Sequence, residues 1–397
     1  MVTFTGVAAD GTTITYEDKK RNWWWFGYIG VAVFLGSFWL YFLLGNNPLT
    51  TLIPVVYTYV LIPILDKIVG LDTHNPPEEV VAEMSKDNFY RYQILARIPF
   101  AFLIFFTAVW FVATQSLPWW SYLALLVGIS SSSGAVLLLT HELGHKPNKL
   151  DHWASIIGNG LMGYGHFCIE HNRGHHVEVS TPEDPASAYM GQNVYRFALR
   201  EIPGAYKRGL AQEKKRLAAK GYGFWNWHND ILRSNAVTLL IMALCVYFWG
   251  PTILLFVIPL SIMSWFMLTL ANYVEHYGLL RQKLPNGKYE PCQPKHSWNS
   301  NHLVSNVMTF HLQRHSDHHA YPMRPYQVLR NHEDIPNLPN GYSGCFLLAL
   351  VPPLWYNFMD PKVMDWADGD ITKVNVDPKR KQKLYKKYGG QDLVAAE

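Results

Sequence analysis

Residues 98–145 read IPFAFLIFFTAVWFVATQSLPWWSYLALLVGISSSSGAVLLLTHELGH and contain no lysine or arginine. About 20 apolar residues cross the hydrocarbon core of a bilayer, so this stretch is long enough for two spans. The interruption TQSLPWW, rich in Pro and Trp, is what a chain uses to reverse at a membrane interface. The stretch therefore predicts a transmembrane hairpin, 96–116 and 119–140, whose second arm runs directly into the polar motif HELGH.

Two further stretches, 23–66 and 234–280, also lack lysine and arginine although the chain of 397 residues has 34 of them. Each holds another hairpin, with spans at 23–45 and 49–69 turning through GNNPL, and at 235–249 and 252–273 turning through WGPT. The near-zero mean hydropathy conceals this division, because 49% hydrophobic content is concentrated in the spans. The expected fold is an all-α integral membrane protein of six transmembrane helices in three hairpins under a histidine-rich helical cap. Its parts are an N-terminal segment 1–22, spans one to four over 23–140, a region 141–234, spans five and six over 235–273, and a C-terminal region 274–397.

All basic residues then lie on one side, which the positive-inside rule makes the cytoplasm, together with both termini. The apolar segment after DKKRNWWW is too long for a signal-peptide core and is expected to remain as an anchor. Cys168, Cys245, Cys292 and Cys345 form no C-x-x-C pair for zinc, rubredoxin-type iron or thiol redox chemistry. The net charge of +4 reflects the inside bias and carries no nucleic-acid role. The basic run AYKRGLAQEKKRLAAKGYG is expected to lie along the membrane surface.

HELGH matches the zinc-protease motif, in which His141 and His145 share a helical face and Glu142 acts as base. The extended form of that motif is excluded, because Asn148 and Asp151 stand where a glycine and a third histidine belong. Only an intramembrane zinc protease survives from that class. The histidines speak against it. His141 and His145 continue from span four. GHFCIEHNRGHHVEVSTPEDP supplies His171, His175 and His176, NYVEHYGLLR supplies His276, and FHLQRHSDHHAYPMRP supplies His315, His318 and His319. Spacings of three and four on helices bring imidazoles onto one face, which suits chelation. Eight or nine imidazoles exceed one zinc's need for three or four ligands, so two metals fit better. Imidazole accommodates zinc, copper, iron and nickel, and the setting, the mouth of an apolar bundle open to oxygen, favours redox-active iron. A metal transporter would need polar groups inside its spans, which here carry almost no charge apart from Asp66 near an end.

HELGHK, EHNRGHH and LQRHSDHHAYP, with NYVEHYGLLR and HSWNSNHLVSN, resemble the membrane alkane 1-monooxygenases, non-haem di-iron omega-hydroxylases of the membrane desaturase and hydroxylase superfamily. The resemblance runs over almost the whole chain, including NNPLT to NPPEEVV, REIPGA and MDPKVMDWA. The second histidine box is H-x3-H-H, whereas desaturases usually have H-x2-H-H. The resemblance implies an oxidoreductase of hydrocarbon degradation in the bacterial cytoplasmic (inner) membrane. It would convert medium-chain n-alkanes to primary alcohols with O2, using two iron ions and electrons from rubredoxin, itself reduced by a rubredoxin reductase. Related alternatives are a fatty-acid or xylene hydroxylase or a desaturase. Carried over residue by residue, the implied iron ligands are His141, His145, His171, His175, His176, His276, His315, His318 and His319.

Further expectations follow. Glu142, Glu170, Glu178, Asp184, Glu275, Asp317, His302 and His311 are candidates to hold ligand imidazoles in place. His152, His166 and His296, and the isolated His74, His228 and His332, are taken as non-ligands. Neighbours on a helix point about 100° apart, so His175 and His176 should divide between the metals, as should His318 and His319. Counting back from His141 places Leu138, Leu137, Gly134, Ser133 and Ser130 on the side of a hydrocarbon slot. Arg173, Arg281, Arg314 and Arg324 are candidates for docking an acidic electron donor.

Overall fold

The computed structural model describes residues 2–389; Met1 and residues 390–397, the extreme ends of the two terminal segments, lie outside the described residues. Among the described residues six helices are long and apolar enough to cross a membrane: Arg21–Leu43, Pro48–Val69, Asn88–Thr114, Trp119–Gly144, Asp230–Trp249 and Pro251–His276. They pair as three hairpins. The first turns through Gly45 and Asn46, both at positive φ, after which the Asn47 side chain caps the next helix by accepting from Leu49 N. The last turns at Gly250, φ +78°. These left-handed positions are where Gly and Asn are tolerated at little steric cost.

Spans four and six form the centre of the bundle. In their apolar windows 67% and 56% of residues are buried, against 22–33% for spans one, two and five. Gly134 makes their close approach possible, since a Cβ there would stand 2.6 Å from the Met267 Cβ of span six. Small residues at such contacts let helix backbones approach in lipid, where no hydrophobic drive pushes helices together. The outer spans present Trp39, Leu43, Leu239, Tyr247 and Phe248 outward, an apolar exterior suited to acyl chains. The molecule is a multi-pass membrane protein.

Span three departs from the sequence reading. It begins at Asn88, capped by Asp87, eight residues before the expected 96. The turns before residue 96 carry Arg91, paired at 2.9 Å with Asp151, so a criterion based on absent basic residues clipped the helix; Arg97, just inside the expected start, is buried.

The cap is helical with one addition, an antiparallel hairpin of Thr3–Val7 and Thr13–Glu17. Its alternating β-branched residues flank a turn at Gly11, φ +85°, and it docks on the helix Glu78–Met84 through Thr5 N donating to Glu83 Oε2 at 2.6 Å. The long basic helix Val194–Ala218 does more than skirt a surface. Its inner face, including Phe197, Glu201, Ala205 and Gly209, is buried, and Glu201 accepts from Thr269 Oγ1 at 2.6 Å and Asn272 Nδ2 at 3.1 Å on span six. This helix thereby roofs the histidine end of the bundle.

Candidate metal centre

Span four carries His141 in its last turn and His145 just past its end, with ring centroids 4.8 Å apart, as i and i+4 neighbours must be. His276 is the last residue of span six. His315, His318 and His319 ride on the short helix His315–Ala320. The remaining three come from a helical segment with an irregularity: after Phe167–Glu170 the backbone widens into a π-helical turn over His171–His175. In an ordinary α-helix His171 and His176 would point about 140° apart at 100° per residue. The wider turn draws residues five apart toward one side, and such π-turns recur at functional sites. Gly174 permits it to be roofed closely, since a Cβ there would lie 2.5 Å from Arg208 Nε.

These nine side chains gather into two groups. Ligand atoms of His141, His145, His171, His176 and His318 all lie within 4.8 Å of one another, and so do those of His175, His276, His315 and His319. The groups abut, with the His176 and His319 rings 4.4 Å apart. Each adjacent pair is split: His175 and His176 go to different groups, as do His318 and His319. The HELGH histidines therefore belong to a five-imidazole group that a zinc protease does not contain.

The donor set fits bound metal. Nε2 of His141, His145, His171 and His175, and both ring nitrogens of His176 and His318, are buried without hydrogen-bond partners. In the smaller group His315 Nε2 faces His276 Nε2 at 3.3 Å and His319 Nε2 at 2.8 Å, lone-pair atoms converging on one point. Buried polar atoms left unpaired call for an ion to satisfy them. Burial and then neighbouring imidazoles hold His171, His176, His318 and His319 well below the usual histidine range, which keeps them in the neutral, ligating form.

Of the carboxylates expected to hold these rings, two touch them. Asp184 Oδ2 lies 2.8 Å from His175 Nδ1 and also accepts from Ser187 Oγ at 2.7 Å. Burial alone would lower the His175 pKa, but the attraction and hydrogen bond of Asp184 raise it. Glu275 Oε2 lies 3.3 Å from His315 Nε2 while its other oxygen accepts from the Tyr342 hydroxyl. Glu170 and Glu178 act one step removed, through Arg208, which donates to Glu170 Oε1 at 2.7 Å, Glu178 Oε2 at 2.6 Å and Asp184 Oδ1 at 2.7 Å. Arg208 had no signal in the sequence beyond its place in a basic helix. Asp317 braces its own helix through Arg324 at 3.1 Å and His332 at 2.9 Å. Glu142 points away from the imidazoles toward Lys146 Nζ, 2.9 Å off.

His302 and His311 stand outside both groups. His302 Nδ1 pairs with Ser300 Oγ at 2.9 Å, and His311 sits edge-on to Trp24 with centroids 4.8 Å apart. His152, His166 and His296 are also outside, facing Asp230, Tyr164 and Glu290 respectively. Removing the Asp184 anchor with Asp184→Asn is expected to weaken metal retention by about 10–100-fold, the usual effect of losing a carboxylate behind a ligand histidine. Titration with a competing chelator measures this, and retention equal to wild type would show that Ser187 and Arg208 suffice.

A cavity lies on the bundle side of these groups. Span four contributes Ser131, Ser132, Gly134, Ala135 and Leu138 to its wall, span two Tyr57 and Tyr59, and the cap Thr309, Gln313 and Tyr342. Gly134 and Leu138 were expected there. Ser130, Ser133 and Leu137 are buried but do not line it, because the open face of span four is turned about a quarter revolution from His141, given 100° per residue. The docking arginines need a larger correction. Arg281 and Arg314 are buried: Arg281 binds the carbonyls of Glu290 and Val177, and Arg314 those of Leu329 and Asp72. Arg324 is committed to Asp317 and Glu78, which leaves Arg173 exposed.

Six spans capped by two imidazole groups define a class, and comparison with known proteins agrees: a family model described as fatty acid desaturase matches residues 117–347. The chain is 43% identical to an alkane 1-monooxygenase of Pseudomonas putida over 373 residues, 94% of this chain and 92% of that one. It is 41% identical to alkane 1-monooxygenase 1 of Alcanivorax borkumensis over 381 residues, 96% and 94% of the two chains. A xylene/toluene monooxygenase hydroxylase component of Pseudomonas putida is more distant, 29% identical over 231 residues, 58% and 61%. Within the membrane desaturase class, this chain belongs to the alkane 1-monooxygenase family, and it is an oxidoreductase.

Proposed function

We propose that this protein hydroxylates the terminal methyl of medium-chain n-alkanes, consuming one O2, two electrons and two protons per primary alcohol and releasing water. The observation that carries the reading is the pairing of five and four converging imidazoles with an apolar cavity at the membrane end of the same helices. Two iron ions fit this donor set, His141, His145, His171, His176 and His318 for one and His175, His276, His315 and His319 for the other. Bound iron supplies the binding and reduction of oxygen that an unactivated C–H bond requires. The chain's own residues do the rest. Asp184 fixes the tautomer and orientation of His175, and the cavity walls present a chain end while excluding water.

An alkane offers no polar handle, so its terminus is selected by shape. Leu138, three residues before His141, and Tyr342, bonded to the Glu275 that contacts His315, link the cavity wall to the histidines. The active site and the described parts of both terminal segments face the cytoplasm of a bacterial inner membrane, consistent with basic residues gathered on that side. Electrons come from rubredoxin, a separate acidic protein meeting the exposed face around Arg173. Charge steering of this kind weakens with ionic strength. Arg173→Glu is expected to raise the KM for rubredoxin several-fold at low salt and to change it little at high salt; an unchanged KM at low salt would move the docking face elsewhere.

Metal analysis with product identification over octane to hexadecane tests the whole reading. Two irons per chain and 1-alkanols are expected. Alkenes would point to a desaturase, and benzylic alcohols formed in preference to alkanols would favour the xylene-type reading.

A further inference from the structure

One wall residue of the cavity is not explained by alkane chemistry. Arg97 lies within span three, is 7% exposed and lines the cavity beside Tyr57. Its Nη1 donates to Gly27 O at 2.7 Å, and its guanidinium carbon sits 5.3 Å from the Tyr28 ring centroid. Among the described residues no carboxylate pairs with it; the charged or polar groups that it feels are the phenols of Tyr28 and Tyr57. The contrast with Arg314 is informative, because that equally buried guanidinium has the Asp72 carboxylate at 3.4 Å. A guanidinium has five N–H donors, and burying it within a membrane span without a counter-ion is costly. Tyr57 is also weakly engaged, since its hydroxyl donates to Met308 Sδ at 3.3 Å, a poor acceptor.

We propose that Arg97 and the Tyr57 hydroxyl form a carboxylate subsite in this cavity, filled by a medium-chain fatty acid whose chain lies along the apolar wall. The proposal rests on reading the cavity as the alkane slot. A carboxylate accepts two parallel bonds from a guanidinium, the strong charge-assisted geometry, and supplies the missing counter-ion. A single-chain acid suits the site better than a phospholipid, because Arg97 is enclosed within the bundle and a second acyl chain would need its own opening. The fatty acid of matching length is the terminal oxidation product of the alcohol that this enzyme makes, so its occupancy of the slot is product-class feedback on alkane entry.

The test is equilibrium binding to the iron-loaded protein in nanodiscs of zwitterionic lipid, with dodecanoate and its uncharged methyl ester as probes. The ester controls for partitioning into the disc. Wild type is expected to bind dodecanoate at least about tenfold more tightly than the ester, a preference that Arg97→Gln abolishes and Arg97→Lys partly keeps. Tyr57→Phe, which leaves the arginine in place, is expected to weaken dodecanoate binding several-fold and ester binding hardly at all. Equal binding of acid and ester by wild type, or an undiminished preference in a folded Arg97→Gln protein, overturns the proposal. Should Arg97→Gln fail to fold, an unchanged preference in Tyr57→Phe and Arg97→Lys together does so. Loss of dodecanoate binding when phosphatidylglycerol replaces the zwitterionic lipid would make this a headgroup site and also overturn it. Because the readout is binding, absence of alkanol products would defeat the functional reading and with it the feedback role, while the preference for acid over ester is judged by the binding result itself.

Discussion

His319→Ala is expected to lose most of one iron, whereas His318→Ala should lose the other and less completely. The two residues are neighbours in sequence, yet their rings serve different groups because adjacent positions on a helix diverge by about 100°. Removing His319 leaves three imidazoles, His175, His276 and His315, to hold the smaller site; removing His318 leaves four, His141, His145, His171 and His176. Three ligands and an open edge retain metal less well than four. Turnover should fall by more than about 100-fold in both variants, since losing a ligand exceeds the 10–100-fold effect of losing a group behind one. Iron per chain together with Mössbauer spectra distinguishes the sites. If the two variants leave the same residual iron spectrum, the neighbours share one metal and the division of ligands is wrong.

Eight of the nine grouped histidines were legible because histidines at spacings of three and four on helices share a face, an arrangement that chelation requires and ordinary packing seldom repeats three times in one chain, whereas His276, alone in NYVEHYGLLR, entered the set through the family resemblance. The helical wheel also anticipated that His175 and His176, and His318 and His319, would part. It did not anticipate how His171 and His176 come together, because a π-turn leaves no periodic mark in HNRGH. The spans were legible from their lack of basic residues, and the same rule hid the first turns of span three. Arg91 fell outside the expected span, yet it is a half-buried group of the same helix paired with Asp151, and Arg97, just inside the expected start, is a buried cavity wall.

Side-chain destination was the least legible property. Four motif-adjacent arginines read alike as surface charge, but Arg281 and Arg314 spend their donors on backbone carbonyls of irregular loops around the histidine helices. Such loops have no ladder to satisfy their carbonyls, and a buried guanidinium can satisfy several at once. Glu142 was ambiguous for a similar reason. Its position within HELGH fixes its height on the helix but not its partner, and at one residue from His141 it points about 100° away from the metal side.

Ala135→Phe is expected to shorten the longest alkane accepted while leaving both irons bound. Ser131, Ala135 and Leu138 stand about one helical turn apart on the half-buried face of span four that borders the cavity. A benzyl group at the middle position would project across the slot roughly 9 Å along the helix axis from His141, given a 1.5 Å rise per residue. Gly134 is the less informative target, although it also lines the cavity. Any side chain there meets Met267 Cβ, so a phenylalanine would part spans four and six and disturb His141 and His276 together. Transfer of an alkane from lipid to an apolar slot gains little per methylene, so chain-length preference must come from steric fit, and blocking the slot acts on long substrates alone. The ratio of hexadecane to octane hydroxylation should therefore fall by about tenfold or more, with Leu123→Phe on the exposed face of the same helix as a control that leaves it unchanged. An Ala135→Phe protein with two irons and the wild-type range and ratio of chain lengths would mean that the alkane reaches the histidines by another route.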